Sequence, residues 1–131
     1  MKPRDMLPGN LIRGAKRIRG IAKKLDPFIH SNRSLSGILI YHRVERLKSD
    51  PQYLAVSPEN FEAQISFLKD NYRIIPLHDL LDAHRTGHIQ NSSIAITFDD
   101  GYADNLFHAK PILERHGVPA TFFVSSGYIG S

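Results

Sequence analysis

Short apolar runs alternate with amphipathic stretches along most of the chain, and this alternation restricts the folds that the sequence can adopt. Four apolar runs predict strands, and three stretches with one apolar face predict helices. The predicted strands cover residues 38–41, 73–77, 93–98 and 119–124. Strands that alternate with helices are typical of βαβ units in a largely parallel sheet. The sequence therefore predicts an α/β protein, with residues 43–56 as a loop.

The ends and inner faces of the predicted helices follow from local chemistry. Ser57-Pro58-Glu59 is a strong helix start, because a hydroxyl caps the backbone and proline suits the first helical position. Gly87 and Gly117 are expected to end the second and third helices. The residues expected to point inward are Phe61, Ile65, Leu68 and Tyr72, then Leu80 and Leu81, then Leu106, Ala109, Ile112 and Leu113.

Charge divides the chain into two parts. Residues 1–36, called here the N-terminal arm, carry nine basic and two acidic residues, a net charge of +7. The remaining 95 residues carry eight basic and eleven acidic residues, a net charge of −3. The overall charge of +4 is therefore a property of the arm, which weakens any prediction that residues 37–131 bind nucleic acid. Cysteine is absent, which excludes disulfides and thiolate metal sites.

The arm predicts an amphipathic basic helix that Pro27 ends. Its apolar positions recur every three or four residues, at Leu11, Ala15, Ile18, Ala22 and Leu25. Two alternatives remain open: residues 10–25 bind an anionic membrane surface, or the arm packs on the body or stays solvated. Nucleic acid is the least expected partner. No apolar stretch typical of a signal peptide follows the positive start, so a cytoplasmic protein, or one peripheral to the inner membrane face, is expected.

Two adjacent acids follow the third predicted strand directly. In parallel α/β folds, functional groups gather at the carboxyl ends of strands, where Asp99 and Asp100 lie. Like charges raise the pKa of one of two neighbouring carboxyl groups unless a cation lies nearby, and a divalent metal ion resolves that conflict. Taken alone, Asp-Asp-Gly is more typical of a turn with solvated acids than of a metal site.

The surrounding motifs distinguish these alternatives. Thr-Phe-Asp-Asp-Gly-Tyr at residues 97–102, with Ala-Thr-Phe-Phe-Val at residues 120–124, closely resembles the polysaccharide deacetylase (NodB-homology) family. Tyr-His-Arg-Val at residues 41–44 resembles the first strand of that family, and residues 57–61 and 112–119 resemble its helical elements. The resemblance continues almost without interruption from residue 38 to the last residue.

This resemblance implies the N-terminal portion of a distorted (β/α) barrel with parallel strands, incomplete at the C-terminus. It implies a hydrolase that removes N-acetyl or O-acetyl groups from a polysaccharide with one divalent metal ion, expected to be zinc. By the same resemblance, Asp99 corresponds to the catalytic base and Asp100 to a metal ligand. His42, Gly101 and Tyr102 are expected at the rim of the site, and no organic cofactor is expected.

The family's histidine ligands are the point at which the sequence departs from the resemblance. They belong to a His-(Ser/Thr)-x-x-His motif downstream of the Ala-Thr-Phe-Phe-Val strand, and the sequence ends before it. A truncated, non-catalytic remnant or binding module is therefore the alternative function. His42 is expected either to contact metal or substrate or to cap its strand. His84 and His88 have a ligand-like spacing, but Gly87 lies between them, so surface histidines are expected there.

Overall fold

The structure, a computed structural model, describes residues 36–90 and 92–129. The predicted basic helix of the N-terminal arm, with its membrane contact through residues 10–25, lies outside the described residues and stays a prediction. Within the described ranges, none of the helices combines the length and the apolar character needed to cross a bilayer.

Six strands and three α-helices follow one another in the described residues. The strands are β1 (Gly37–Tyr41), β2 (Arg43–Val44), β3 (Ala55–Val56), β4 (Arg73–Ile74), β5 (Ser93–Phe98) and β6 (Thr121–Phe122). The α-helices are α1 (Pro58–Asn71), α2 (Leu77–Thr86) and α3 (Lys110–His116). A π-helical turn at Asn105–Ala109 leads into α3, and a 3₁₀ turn at Ser126–Tyr128 follows β6.

Strand β5 is the centre of the main sheet, and every pairing in the two described sheets is parallel. Its partner β1 runs alongside it from Gly37, opposite Ile94, to Tyr41, opposite Phe98. Strand β4 pairs with the beginning of β5, and β6 pairs with its end. The predicted parallel sheet is therefore confirmed. This arrangement brings the carboxyl ends of β1, β5 and β6 to one edge of the sheet.

The predicted loop over residues 43–56 is only partly correct, because β2 and β3 pair with each other inside it. The Asp50 carboxylate accepts hydrogen bonds from the backbone N–H groups of Leu54 and Ala55, at 3.1 and 3.0 Å. This local turn helps to return the chain alongside Arg43 and Val44. A ladder of two residues on each side is too short to leave an alternating pattern in the sequence.

The core forms around β5, which is buried along its whole length. Phe61 and Phe98 are fully buried and meet edge to face, with ring centroids 5.8 Å apart. The Phe98 ring also stacks with Tyr41 and with Phe122, at centroid distances of 5.5 and 4.7 Å. The aromatic packing thus joins β1, β5, β6 and α1 directly beneath the carboxyl edge of the sheet.

Helix ends agree with the sequence predictions. The Ser57 side chain accepts the Asn60 N–H at the start of α1, at 3.4 Å. Gly87 and Gly117 end α2 and α3 in the left-handed conformation, with φ of 72° and 62°. Local chemistry that involves only a few neighbouring residues was sufficient for these boundaries.

Some burial predictions are wrong. A continuous apolar run such as residues 38–41 predicts a strand buried on both faces, but Ile38 and Ile40 of β1 are exposed within the described residues. Leu81 of α2 is also exposed, and only Leu80 is buried there. In the third helical segment the π-helical turn buries Asn105 and Ala109, which leaves Leu106 exposed. A π-helical turn accommodates an extra residue, so the face assigned from a 3.6-residue period does not hold at its beginning.

Candidate active site

The carboxyl ends of β1 and β5 place three of the predicted site residues together. Tyr41 and Phe98 are opposite each other in the sheet, so His42 and Asp99 leave their strands at the same level. The Asp99 N–H donates to the Tyr41 carbonyl at 3.0 Å, which extends the ladder by one residue. Asp99 is half-buried and held by the sheet, whereas Asp100 is exposed in the turn that follows.

A direct contact joins His42 to Asp100. The His42 Nδ1 lies 3.1 Å from the Asp100 Oδ2, and the two side chains are 30% and 46% exposed. Both groups are therefore accessible to a ligand from solvent while they touch each other. Although 58 residues separate them in the sequence, the sheet register brings them together.

The turn after Asp99 has an unusual backbone conformation. Asp100 and Gly101 both have positive φ, 71° and 69°. Aspartate enters this left-handed region more readily than most residues with a side chain, and glycine does so without strain. A Cβ on Gly101 would lie 3.0 Å from Val124 Cγ1 and 3.2 Å from Val124 Cα. Gly101 is therefore required both for the turn and for the close approach of the chain after β6.

Tyr102, the last predicted rim residue, contacts the segment that carries His42. The Arg43 guanidinium lies over the Tyr102 ring, with 4.6 Å between the Arg43 Cζ and the ring centroid. A cation over an aromatic face is attracted by the ring quadrupole. The Tyr102 ring remains partly exposed next to this contact.

Sequence reasoning did not single out Arg43 as a site residue, and it missed Asp104 entirely. Asp104 is buried and accepts the Arg43 Nε at 2.9 Å, and the Arg43 Nη2 lies 2.8 Å from the same oxygen. Its other oxygen accepts the Val44 N–H at 2.9 Å. Because 61 residues separate Arg43 from Asp104, no local pattern in the sequence pointed to this pair.

Asn105 is a second residue that the sequence analysis did not identify. It is buried at the beginning of the π-helical turn, and its side-chain amide has no hydrogen-bond partner among the described residues. It lines a pocket of about 210 Å³ between the Asp-Asp-Gly turn and β6, together with Tyr102, Phe122 and Val124. Two residues that line this pocket, Gly101 and Tyr102, were predicted to lie at the rim of the site.

Tyr41 supports the site from below. Its hydroxyl donates to the Gln64 Oε1 of α1 at 2.9 Å, and its ring contacts Phe61 and Phe98. Burial raises the pKa of the Tyr41 hydroxyl to about 12, because the charged form would lose its solvation. The strand end that carries His42 is therefore fixed by a neutral tyrosine in the core.

The fit of a divalent metal ion can be judged from the donors present. Asp100 supplies a carboxylate and His42 an imidazole, both of which are ordinary zinc ligands. A catalytic zinc site usually has three protein ligands, and the described residues contain no cluster of three or more metal-binding side chains. The residues present thus fit two positions of such a site. His84 and His88 are both exposed, as expected.

Comparisons with known proteins agree with the motifs and with the fold. A sequence model of the family described as polysaccharide deacetylase matches residues 87–131. The chain is 35% identical over 95 residues to the Bacillus subtilis protein YxkH, whose name assigns it provisionally to the polysaccharide deacetylases; the match covers 71% of this chain and 33% of that protein. It is 34% identical over 77 residues to the poly-β-1,6-N-acetyl-D-glucosamine N-deacetylase of Staphylococcus aureus, covering 58% of this chain and 27% of the relative.

Among solved structures, IcaB from Ammonifex degensii superposes with a TM-score of 0.63 at 30% identity, over 75% of this chain and 41% of that one. The predicted fold class, a portion of a (β/α) barrel with parallel strands, is confirmed by this likeness and by the sheet pairings. The chain spans about a third of the length of the curated relatives that it matches. Over the residues that these comparisons match, the chain is similar in sequence and in fold to the polysaccharide deacetylase family.

Proposed function

We propose that this chain is part of a metal-dependent carbohydrate deacetylase that hydrolyses N-acetyl groups on a polysaccharide. The observation that carries the proposal is the carboxylate pair at the end of β5, with one acid held by the sheet and the other in contact with His42. The names of the relatives support an acetylated glucosamine polymer as substrate, since the Staphylococcus aureus protein is named for such a polymer. Hydrolysis of O-acetyl groups is the alternative within the same chemistry.

The two aspartates have different surroundings, and this difference supports different roles. The backbone of Asp99 is fixed by its bond to the Tyr41 carbonyl, which suits a general base that must meet a water molecule at a defined position. Asp100 is more open to solvent and lies against an imidazole, which suits a metal ligand. A bound divalent cation would polarise the acetyl carbonyl and stabilise the charge that develops on its oxygen.

In the proposed reaction, water attacks the acetyl carbonyl carbon and Asp99 accepts a proton from that water. The bond between the carbonyl carbon and the sugar nitrogen then breaks, and the nitrogen takes up the proton that Asp99 had accepted and leaves as a free amine. The products are acetate and a glucosamine unit. Tyr102 and Gly101 line the rim, where a sugar ring would lie next to the carboxylate pair.

The test is acetate release from an acetylated glucosamine oligomer with added Zn²⁺. Asp99→Asn keeps the shape of the side chain but removes the base, and we expect the rate to fall by about 10²–10⁴-fold. Asp82→Asn is the matched control, because Asp82 is an exposed acid on α2. Undiminished acetate release by Asp99→Asn would contradict the base role. Zn²⁺ binding by the unaltered protein without any acetate release would favour the non-catalytic binding module.

A further inference from the structure

Asp104 is a buried carboxylate that the proposed reaction does not use. One of its oxygens is shared by two nitrogens of Arg43, Nε at 2.9 Å and Nη2 at 2.8 Å, in a forked contact. Its other oxygen accepts the Val44 N–H at 2.9 Å. A buried charge is costly to leave without partners, and here both oxygens are satisfied by two consecutive residues of the segment after β1.

These contacts fix the chain on one side of His42, and the end of β1 fixes it on the other. Val44 is fully buried and bound through its N–H, and the Arg43 guanidinium lies between Asp104 and the Tyr102 ring. On the other side, the last described ladder contact is the Tyr41 carbonyl, which accepts the Asp99 N–H. His42 is the residue between these two fixed points. Its direction is therefore set by the contacts of its neighbours.

The contact between His42 and Asp100 needs such support. A hydrogen bond between two half-exposed groups in water contributes little by itself, because water competes and both side chains lose freedom. A rigid backbone on both sides lowers that entropic cost and keeps the imidazole near the carboxylate. Asp104 provides this rigidity from the segment that follows the Asp-Asp-Gly turn.

We propose that Asp104 is a positioning residue that acts through Arg43 and the Val44 amide to hold the His42 imidazole against the Asp100 carboxylate. The importance of this role for catalysis rests on the proposed function, in which Asp100 is a metal ligand. The placement itself does not depend on that function. The two ideas can therefore fail separately.

The first measurement uses the metal-free protein and follows the ring ¹⁵N chemical shifts of His42 by NMR at one fixed pH. Asp104→Asn keeps the shape of the side chain but replaces the carboxylate that both Arg43 nitrogens share. We expect the His42 shifts to move toward the values of a free imidazole in a short peptide. In an Asp100→Gly background, which keeps the positive φ without strain, the same change should leave the His42 shifts unaltered, because residue 100 then has no side chain to contact the imidazole.

The second measurement is the dissociation constant for Zn²⁺ alone, determined by isothermal titration calorimetry. Loss of a residue that orients a ligand typically weakens metal affinity by about 10–100-fold, and we expect a change of this order for Asp104→Asn. Glu62→Gln is the matched control, because it removes the carboxylate that contacts Arg115 at 2.9 Å between α1 and α3. Its Zn²⁺ affinity should equal that of the unaltered protein.

A second variant tests the same contact in case Asp104→Asn does not fold. Arg43→Lys keeps the positive charge but cannot make the forked contact with Asp104. If Asp104 positions His42 through Arg43, this variant should shift the His42 signals as Asp104→Asn does. Unchanged His42 signals in a folded Asp104→Asn or Arg43→Lys protein would overturn the proposal, as would equal shifts with and without Asp100. If the unaltered protein does not bind Zn²⁺, the metal step of the proposed function fails, and the His42 signals still decide the role of Asp104.

Discussion

Replacing Gly101 with alanine is expected to destabilise the protein more than the same change at Gly87 or Gly117. All three glycines have similar left-handed conformations, with φ of 69°, 72° and 62°. Their surroundings differ, because a Cβ at Gly101 would meet Val124 at 3.0–3.2 Å. A Cβ at Gly87 or Gly117 would meet no atom within 4 Å. The two helix-end glycines are therefore matched controls for the backbone strain alone.

The expected magnitudes follow from these two contributions. A left-handed conformation costs a residue with a side chain about 1–2 kcal/mol, and the stiffer unfolded chain returns about 0.4–1 kcal/mol. Gly87→Ala and Gly117→Ala should therefore each lower the free energy of unfolding by about 1.6 kcal/mol or less. At Gly101 the added contact involves the Val124 Cα, which cannot rotate away, and such overpacking typically costs about 1–3 kcal/mol more.

The assay is urea unfolding of the three alanine variants and the unaltered protein, followed by circular dichroism. For a domain of this size, each kcal/mol also lowers the melting temperature by about 4–8 °C, so thermal unfolding gives an independent value. A loss at Gly101 no larger than the losses at Gly87 and Gly117 would refute the reasoning. In that case Val124 would move aside without cost, and the close approach of the two loops would not constrain the turn.

Three further predictions concern the core, the pocket and the arm. Burial raises the pKa of Tyr41 to about 12, so the stability that comes from a neutral hydroxyl is complete below pH 10 and is lost as the pH rises through 12. Tyr41→Phe should therefore flatten the fall of the urea midpoint between pH 10 and pH 12. An unchanged slope would contradict this prediction. Asn105→Leu removes a buried amide that has no hydrogen-bond partner among the described residues, so the free energy of unfolding should rise by about 1–3 kcal/mol. A fall in the free energy of unfolding would show that the amide is hydrogen-bonded. Deletion of residues 1–30 should abolish sedimentation with anionic lipid vesicles; vesicle binding that survives the deletion, or no binding by the full chain, would exclude the arm as a membrane contact.

The features that local chemistry controls could be predicted from the sequence. The N-cap at Ser57 and the left-handed glycines at positions 87 and 117 depend on a few neighbouring residues, so the sequence fully specifies them. The parallel sheet followed from the alternation of strands and helices, and the position of Asp99 at a strand end followed from the apolar run before it. The family resemblance followed from the motif itself.

Only the tertiary structure showed which of these residues meet. The pairing of β1 with β5 brings His42 to Asp100, and Asp104 contacts Arg43 across 61 residues of sequence. The π-helical turn decided that Asn105, rather than Leu106, is buried. Hydrophobic periodicity specifies which face of an element is buried, but it carries no information about which distant element covers that face. The carboxylate pair was therefore readable in the sequence, while the contacts that surround and position it depended on the packing of the sheet.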